Sequence, residues 1–221
     1  IFKTQSHVVI YPASGSGAWE SALVNCLQDG DLVLMVETGH FASLWHKMAK
    51  RLGIKTEFLT TDWRRGVDPQ QIEDRLRQDT DQRIKAVCVV HNETSTGSTS
   101  RISDVRVAMD NAGHTALMLV DTISSLGSID YRHDEWGVDV TVAGSQKGLM
   151  LPPGLSFNAV SEKALAAARI QTSGQERDRY ATDAELEAIR ATMRAQGKLK
   201  IPVEAIMDFA LATAMRLGEI C

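Results

Sequence analysis

The sequence contains little that would mark a secreted, metal-binding or membrane-spanning protein. Its 221 residues include three cysteines, Cys26, Cys88 and Cys221, which are too few and too widely spaced for a disulfide framework or a cluster of metal ligands. No apolar run approaches the roughly 20 residues that a transmembrane helix requires. The formal net charge of −4 provides no positive surplus for binding nucleic acid or an anionic membrane. These absences favour a cytoplasmic protein with no metal centre and no membrane association.

The beginning of the chain lacks the features of a targeting segment. Residues 1–17 have neither the charged nor the apolar region of a signal peptide, and the first residue is Ile1 rather than methionine. Hydrophobic residues make up 43% of the sequence and charged residues 24%, as in a globular domain. We therefore expect a piece of a longer protein that holds one medium-sized domain, or one domain and a fragment.

Short β-rich runs alternate with longer amphipathic segments over the first 170 residues. Asp68 before Pro69 predicts the start of one helix, and Ser103 predicts the cap of another that ends near residue 112. The alternation predicts an α/β fold with a mostly parallel sheet and helices on both faces. The predicted strands are residues 7–11, 31–36, 55–59, 84–90, 116–120, 138–143 and 155–160.

The pattern changes near residue 170. No strand is evident afterwards, and residues 182–196 and 202–217 have the pattern of two helices. The sequence therefore predicts two domains, an α/β core over residues 1–170 and a short all-α segment over residues 171–221.

Two chemically important side chains follow neighbouring predicted strands. Asp121 closes the run at 116–120, and Lys147 follows the run at 138–143. In a parallel sheet both strand ends open on the same edge, where α/β proteins bind ligands. A buried lysine amine can form a Schiff base, and a buried aspartate can hold a protonated pyridine nitrogen. The pair suits pyridoxal phosphate, although aspartates at strand ends and lysines in loops also occur in α/β domains for structural reasons alone.

Three further segments add to this pattern. The glycine-serine loop at 14–17 lies between a strand and a helix, where free backbone N–H groups favour a phosphate. Phe41 follows the second strand and could stack on a cofactor ring or simply begin the core face of its helix. The loop at 91–97 clusters hydroxyl groups, as do many ordinary turns.

Five segments together carry a family resemblance. YPASGSGAWESALVN, GDLVLMVETGHF, VVHNETSTG, LMLVDTISSLGS and VTVAGSQKGLMLPPGLSFNAVS resemble, in order and spacing, the large-domain core of class V, fold-type I pyridoxal-phosphate aminotransferases. The similarity is strongest to the serine–, alanine– and aspartate–glyoxylate aminotransferases. It implies a homodimeric enzyme that exchanges an amino group between a small amino acid and a 2-oxo acid such as glyoxylate.

The resemblance also assigns roles to individual residues. Lys147 matches the lysine that forms a Schiff base with the cofactor, and Asp121 matches the partner of its pyridinium nitrogen. Ser16, Gly17 and Ala18 match a phosphate-binding turn, and Gln146 matches a further phosphate ligand. Phe41 matches an aromatic residue that stacks on the cofactor ring, and Ile123 matches an apolar residue under that ring. Thr94 matches a hydroxyl near the phenolic oxygen. Ala18 stands where the family often has histidine, so only its backbone amide would serve.

Other parts of the family pattern are absent from the sequence. The N-terminal arm and the C-terminal small domain, with its carboxylate-binding arginine, have no counterpart, so we expect turnover to be impaired. Residues 171–221 instead resemble the start of a tyrosine recombinase (phage-type integrase) catalytic domain, with Arg216 at the position of its first catalytic arginine. Nucleic acid is a partner only under that interpretation. A solvated helical hairpin and a non-functional chimeric remnant remain as alternatives for the tail and for the chain.

Overall fold

The computed structural model describes residues 1–172. The chain divides into two compact units, and the first of them covers residues 1–171. The predicted tail helices and Arg216 lie outside the described residues, so the domain boundary and the recombinase resemblance stay predictions. Within residues 1–172, no helix is long and apolar enough to cross a membrane.

The described chain folds into nine strands and five helices. The strands are β1 (His7–Pro12), β2 (Leu32–Val36), β3 (Lys55–Leu59), β4 (Ile84–Val90), β5 (Asn92–Glu93), β6 (Ser98–Thr99), β7 (Leu117–Asp121), β8 (Val140–Gly144) and β9 (Leu155–Val160). The helices are α1 (Gly15–Cys26), α2 (His40–Arg51), α3 (Pro69–Gln78), α4 (Ile102–Asn111) and α5 (Glu162–Thr172).

Seven of the strands form one sheet in the order β1-β9-β8-β7-β4-β2-β3, and β5 pairs with β6 in a small hairpin. The pairs β8–β7, β7–β4, β4–β2 and β2–β3 are parallel. Strand β9 is antiparallel to both of its neighbours. The prediction of an α/β fold with a mostly parallel sheet is therefore confirmed.

The helices cover both faces of the sheet. Successive residues of β4 enter two different apolar clusters, because side chains alternate across a strand: Val87 belongs to one cluster and Cys88 to the other. The first cluster receives Leu76 of α3 and Met109 of α4, and the second receives residues of α1, α2 and α5. Coverage on both faces explains why β4 is almost uniformly apolar.

Two helix starts test the capping predictions. Asp68 caps α3 as predicted, since its Oδ1 accepts a hydrogen bond from the Gln70 backbone N–H at 3.0 Å. The prediction for Ser103 is wrong, because the N-cap of α4 is Arg101 and the helix begins at Ile102, two residues before a helix capped by Ser103 would. Ile102 is buried in the core, and the Ser103 hydroxyl bonds the Asp104 carboxylate at 3.2 Å instead of a backbone amide. Burial of Ile102 therefore decides where this helix begins.

Helix α1 also begins earlier than residue 18, the predicted start. Residues 15–17 form its first turn rather than a preceding loop. Gly15 passes so close to Ile123 that an added Cβ would lie 2.7 Å from the Ile123 Cδ1. The glycine thus allows the start of α1 to approach the segment that follows β7.

Candidate active site

A cavity of about 300 Å³ opens at the carboxyl edge of the sheet, the place where parallel α/β sheets bind ligands. Asp121 is the last residue of β7, and Lys147 lies three residues beyond the end of β8. Both side chains line this cavity. The parallel pairing of β7 with β8 places the two strand ends side by side, as the sequence predicts.

Seven of the nine predicted site residues line the cavity: Ser16, Phe41, Thr94, Asp121, Ile123, Gln146 and Lys147. The structure does not bring the other two, Gly17 and Ala18, to the cavity wall. Ala18 is buried in the core, and its N–H donates to the Ser14 carbonyl at 3.0 Å, as a normal helical amide does. The functional roles of all nine residues stay predictions.

Asp121 is the buried acid of the cavity, with 4% of its surface exposed. Its Oδ1 accepts from the Ile123 backbone N–H at 2.7 Å, and its Oδ2 accepts from the Trp19 Nε1 at 2.9 Å. Burial raises the pKa of Asp121 to about 7, although the two hydrogen bonds oppose that rise. The nearby Glu93 carboxylate raises it further. A cation in the cavity would therefore stabilise the ionised carboxylate strongly.

The start of α1 offers backbone donors at the wall of the same cavity. Ser14, at the N-cap, makes no side-chain hydrogen bond to the helix, and the first turn contains no acidic residue. Ser14, Gly15 and Ser16 all line the cavity. Because the first N–H groups of a helix have no partner within the helix, they favour an anion.

Gln146 lies beside this helix start. Its Oε1 is buried and has no hydrogen-bond partner within residues 1–172. An added Cβ on Gly144 would lie 3.3 Å from both that oxygen and the Gly15 backbone nitrogen. The missing side chain at Gly144 therefore lets the Gln146 amide and the start of α1 approach each other.

Glu93 is a residue of the site region that the sequence did not identify. It is completely buried, and its carboxylate accepts hydrogen bonds from the backbone N–H groups of Phe41 at 3.3 Å, Ala42 at 3.1 Å and Ser95 at 3.1 Å, and from the Ser95 hydroxyl at 2.7 Å. It thereby holds the first turn of α2, which carries Phe41. In sequence Glu93 is one polar residue in a polar loop, and no pattern distinguishes it.

Three further residues of the cavity wall were also missed: Trp19, Asn92 and Ser124. The Asn92 side-chain amide donates to the Ser124 hydroxyl at 3.0 Å, and that hydroxyl donates to the Asn92 carbonyl at 2.8 Å. These two bonds join the segment after β4 to the segment after β7. Trp19 has the helical spacing of an ordinary core residue, which conceals its polar N–H group.

The fold and the cavity define a class, an α/β protein whose cavity at one sheet edge combines a buried carboxylate, a lysine and a helix start. The family model described as aminotransferase class-V matches residues 1–210. The chain therefore belongs to the class-V aminotransferase family. The match extends past residue 170, into the segment for which the sequence predicts a separate domain.

Individual relatives agree with this family. The chain is 52% identical over 174 residues to a serine–glyoxylate aminotransferase of Methylorubrum extorquens, covering 79% of this chain and 43% of the relative. It is 47% identical to an L-aspartate–glyoxylate aminotransferase of Paracoccus denitrificans, covering 74% and 41%. A ureidoglycine–glyoxylate aminotransferase structure from Bacillus subtilis aligns with a TM-score of 0.72 and 26% identity, covering 77% and 43%. The chain thus spans about two fifths of the length of the curated relatives it matches.

Proposed function

We propose that this chain carries the pyridoxal-phosphate-binding core of an aminotransferase that acts on a small amino acid and a 2-oxo acid such as glyoxylate. The observation that carries the proposal is the meeting of a buried Asp121, Lys147 and the uncapped start of α1 in one cavity. The names of the relatives supply the substrate class. The expected homodimer and the cytoplasmic location stay predictions.

The residues of the cavity fit the chemical groups of pyridoxal phosphate. Asp121 would hold the protonated ring nitrogen, and the ionised carboxylate would gain from that charge because burial otherwise disfavours it. The start of α1 would hold the phosphate, with Ser16 as a hydroxyl donor. Gln146 also lines the cavity, and its side-chain NH₂ group would donate to the same phosphate. A small cation without a phosphate would leave the helix start unused.

The apolar and hydroxyl groups of the wall complete the fit. Phe41 and Ile123 both line the cavity and would contact the faces of a flat ring. Thr94 supplies a hydroxyl from the segment after β4, suited to a ring oxygen. Glu93 keeps Phe41 in place by bonding its backbone N–H. The wall therefore combines flat apolar contact with a few directed polar groups, as small-molecule sites do.

The chemistry follows from the positions of these groups. When bound, pyridoxal phosphate supplies an aldehyde that reacts with amines and a ring that takes up the electron pair left by a departing proton. As general base and acid, the Lys147 amine would take the proton from Cα of an amino acid substrate and deliver it to the carbon of the cofactor that carried the aldehyde. Ionised Asp121 would place a negative charge in the cavity, which favours a protonated ring nitrogen.

Cofactor binding is the property to test, because the chain spans only part of the length of its relatives. Adding pyridoxal phosphate to the full 221-residue chain should give the visible absorption band of pyridoxal attached to a lysine. Lys147→Ala should abolish this band, whereas Lys50→Ala, which changes an exposed lysine at the end of α2, should retain it. Identical spectra for the wild-type and Lys147→Ala chains would overturn the assignment of Lys147.

A further inference from the structure

Trp19 makes a contact that its position in an apolar helix does not suggest. It lies one turn into α1, is 4% exposed, and lines the cavity. Its indole Nε1 donates to the Asp121 Oδ2 at 2.9 Å. A buried indole N–H usually finds an acceptor, and here that acceptor is the carboxylate at the end of β7.

The hydrogen bonds to Asp121 come from two different sources. The Ile123 backbone N–H holds Oδ1 through a local turn. Trp19 holds Oδ2 from another element, 102 residues earlier in the sequence. Within residues 1–172, Trp19 is the one side chain that donates to this carboxylate. The bond therefore fixes the rotation of the carboxylate and leaves further lone pairs for a ligand in the cavity.

A second tryptophan holds Trp19 in place. Trp45 of α2 stacks on it with ring centroids 5.8 Å apart and the ring planes at 12°. Trp45 is 1% exposed, and its own Nε1 has no hydrogen-bond partner within residues 1–172. The two indoles thus share burial and packing but differ in two respects, since of the two only Trp19 lines the cavity and only Trp19 donates to Asp121. Trp45 is a matched control for Trp19.

We propose that Trp19 is a positioning residue for the site, whose indole N–H orients the Asp121 carboxylate and favours its ionised form for pairing with a protonated ring nitrogen. This inference rests on the proposed function. Other titratable groups also lie near Asp121 and act on its ionisation together with this hydrogen bond. These are the Glu93 carboxylate, the Tyr131 phenol, the buried His91 on the neighbouring strand end, and Lys147 across the cavity.

The direct test measures the ionisation of Asp121 in the full chain without cofactor. Carbon NMR of the labelled aspartate carboxyl groups, assigned with Asp121→Asn, gives its titration midpoint. In Trp19→Phe the midpoint should rise by about one to two pH units, because an ionised acceptor loses a hydrogen bond. In Trp45→Phe the midpoint should stay at its wild-type value. Equal midpoints in Trp19→Phe and the wild type, or equal shifts in both variants, would overturn the proposal.

A second measurement uses the wild-type chain, in case Trp19→Phe does not fold. The Trp19 indole N–H resonance, assigned by elimination with variants of the other tryptophans, should titrate with the same midpoint as the Asp121 carboxyl carbon. An indole resonance that does not change across that pH range would contradict the proposed coupling.

Binding of pyridoxal phosphate separates this inference from the proposed function. Trp19→Phe should bind the cofactor about tenfold more weakly than Trp45→Phe, as expected for one lost hydrogen bond to a charged group. If the Lys147-dependent absorption band appears but the titration midpoint of Asp121 does not depend on Trp19, only the positioning role of Trp19 is refuted. If the Asp121 midpoint depends on Trp19 but no Lys147-dependent band appears, the proposed function is refuted and the effect of Trp19 on the carboxylate still stands.

Discussion

Replacing Glu93 with glutamine should destabilise the α/β unit strongly, even though the two side chains have nearly the same shape. The carboxylate is completely buried and accepts four hydrogen bonds, two of them from the first turn of α2. Glutamine has one oxygen, so its NH₂ group must face backbone or hydroxyl donors whichever way the amide turns. The backbone N–H groups that it meets, of Ala42 in one orientation and of Phe41 and Ser95 in the other, are donors and cannot replace the lost bond.

The size of the effect follows from these contacts. Losing at least one bond to a charged acceptor and leaving a buried N–H unsatisfied should cost about 2–4 kcal/mol of the free energy of unfolding. With a urea dependence of about 2 kcal/mol per molar, the midpoint should fall by about 1–2 M. The loss of charge at the start of α2 acts in the same direction, since a negative group stabilises a helix N-terminus.

Tryptophan fluorescence during urea unfolding is the appropriate assay. All four tryptophans of the chain, Trp19, Trp45, Trp63 and Trp136, lie in the described unit, so the signal reports on that unit alone. Glu135→Gln is the matched control, because Glu135 is exposed and, within residues 1–172, pairs only with Arg132. It should leave the midpoint unchanged. If Glu93→Gln and Glu135→Gln unfold at the same urea concentration, Glu93 does not hold α2 in the way described.

Two further predictions concern Asp121 and the lysine loop. Burial raises the pKa of Asp121 to about 7 in the folded chain, so the folded state binds more protons than the unfolded state at pH 5 and stability falls as the pH rises to 8. Asp121→Asn removes that fall. The free energy of unfolding of the variant minus that of the wild type should therefore increase by roughly 2–3 kcal/mol between pH 5 and pH 8, as measured by urea unfolding at both pH values. A constant difference between the two chains would show that Asp121 ionises normally. Gly148 directly follows Lys147, and an added Cβ there would overlap the Leu126 carbonyl oxygen. Gly148→Ala should therefore lower both the stability of the chain and its cofactor absorbance. Gly30 lies in an open turn on the opposite edge of the sheet and has a φ of +83°. Gly30→Ala should therefore lower stability without lowering cofactor absorbance. An equal loss of absorbance in both variants would argue against the proposed placement of the lysine loop.

The sequence predicts most of the sheet, because its buried strands are short and almost wholly apolar. Residues 84–90 are bounded correctly, since coverage on both faces leaves no polar position except Lys85. The antiparallel direction of β9 could not be predicted, because an isolated apolar run does not indicate the direction of its neighbours. Family resemblance, rather than periodicity, assigned roles to Phe41 and Gln146.

The contacts that hold the site together were beyond sequence patterns. Trp19 and Glu93 are far in sequence from the residues that they bond, Asp121 and Phe41. Each pair comes together only when two separate elements pack in the folded chain. Tryptophan in an amphipathic helix predicts core packing, and this is correct for its ring. The direction of the indole N–H becomes clear only where α1 meets the end of β7, which places the Asp121 carboxylate beside it. A polar contact of that kind requires the tertiary structure.

Glu93 and Asp121 are both buried acids, and their hydrogen bonds separate a structural carboxylate from a ligand-binding one. An ionised carboxylate can accept about four hydrogen bonds. Glu93 accepts four from the protein and therefore has little capacity left for a ligand. Asp121 accepts two, lines the cavity, and has a raised pKa because burial is only partly compensated. The unfilled capacity of Asp121, rather than its burial alone, is the physical reason to expect a cationic ligand group there.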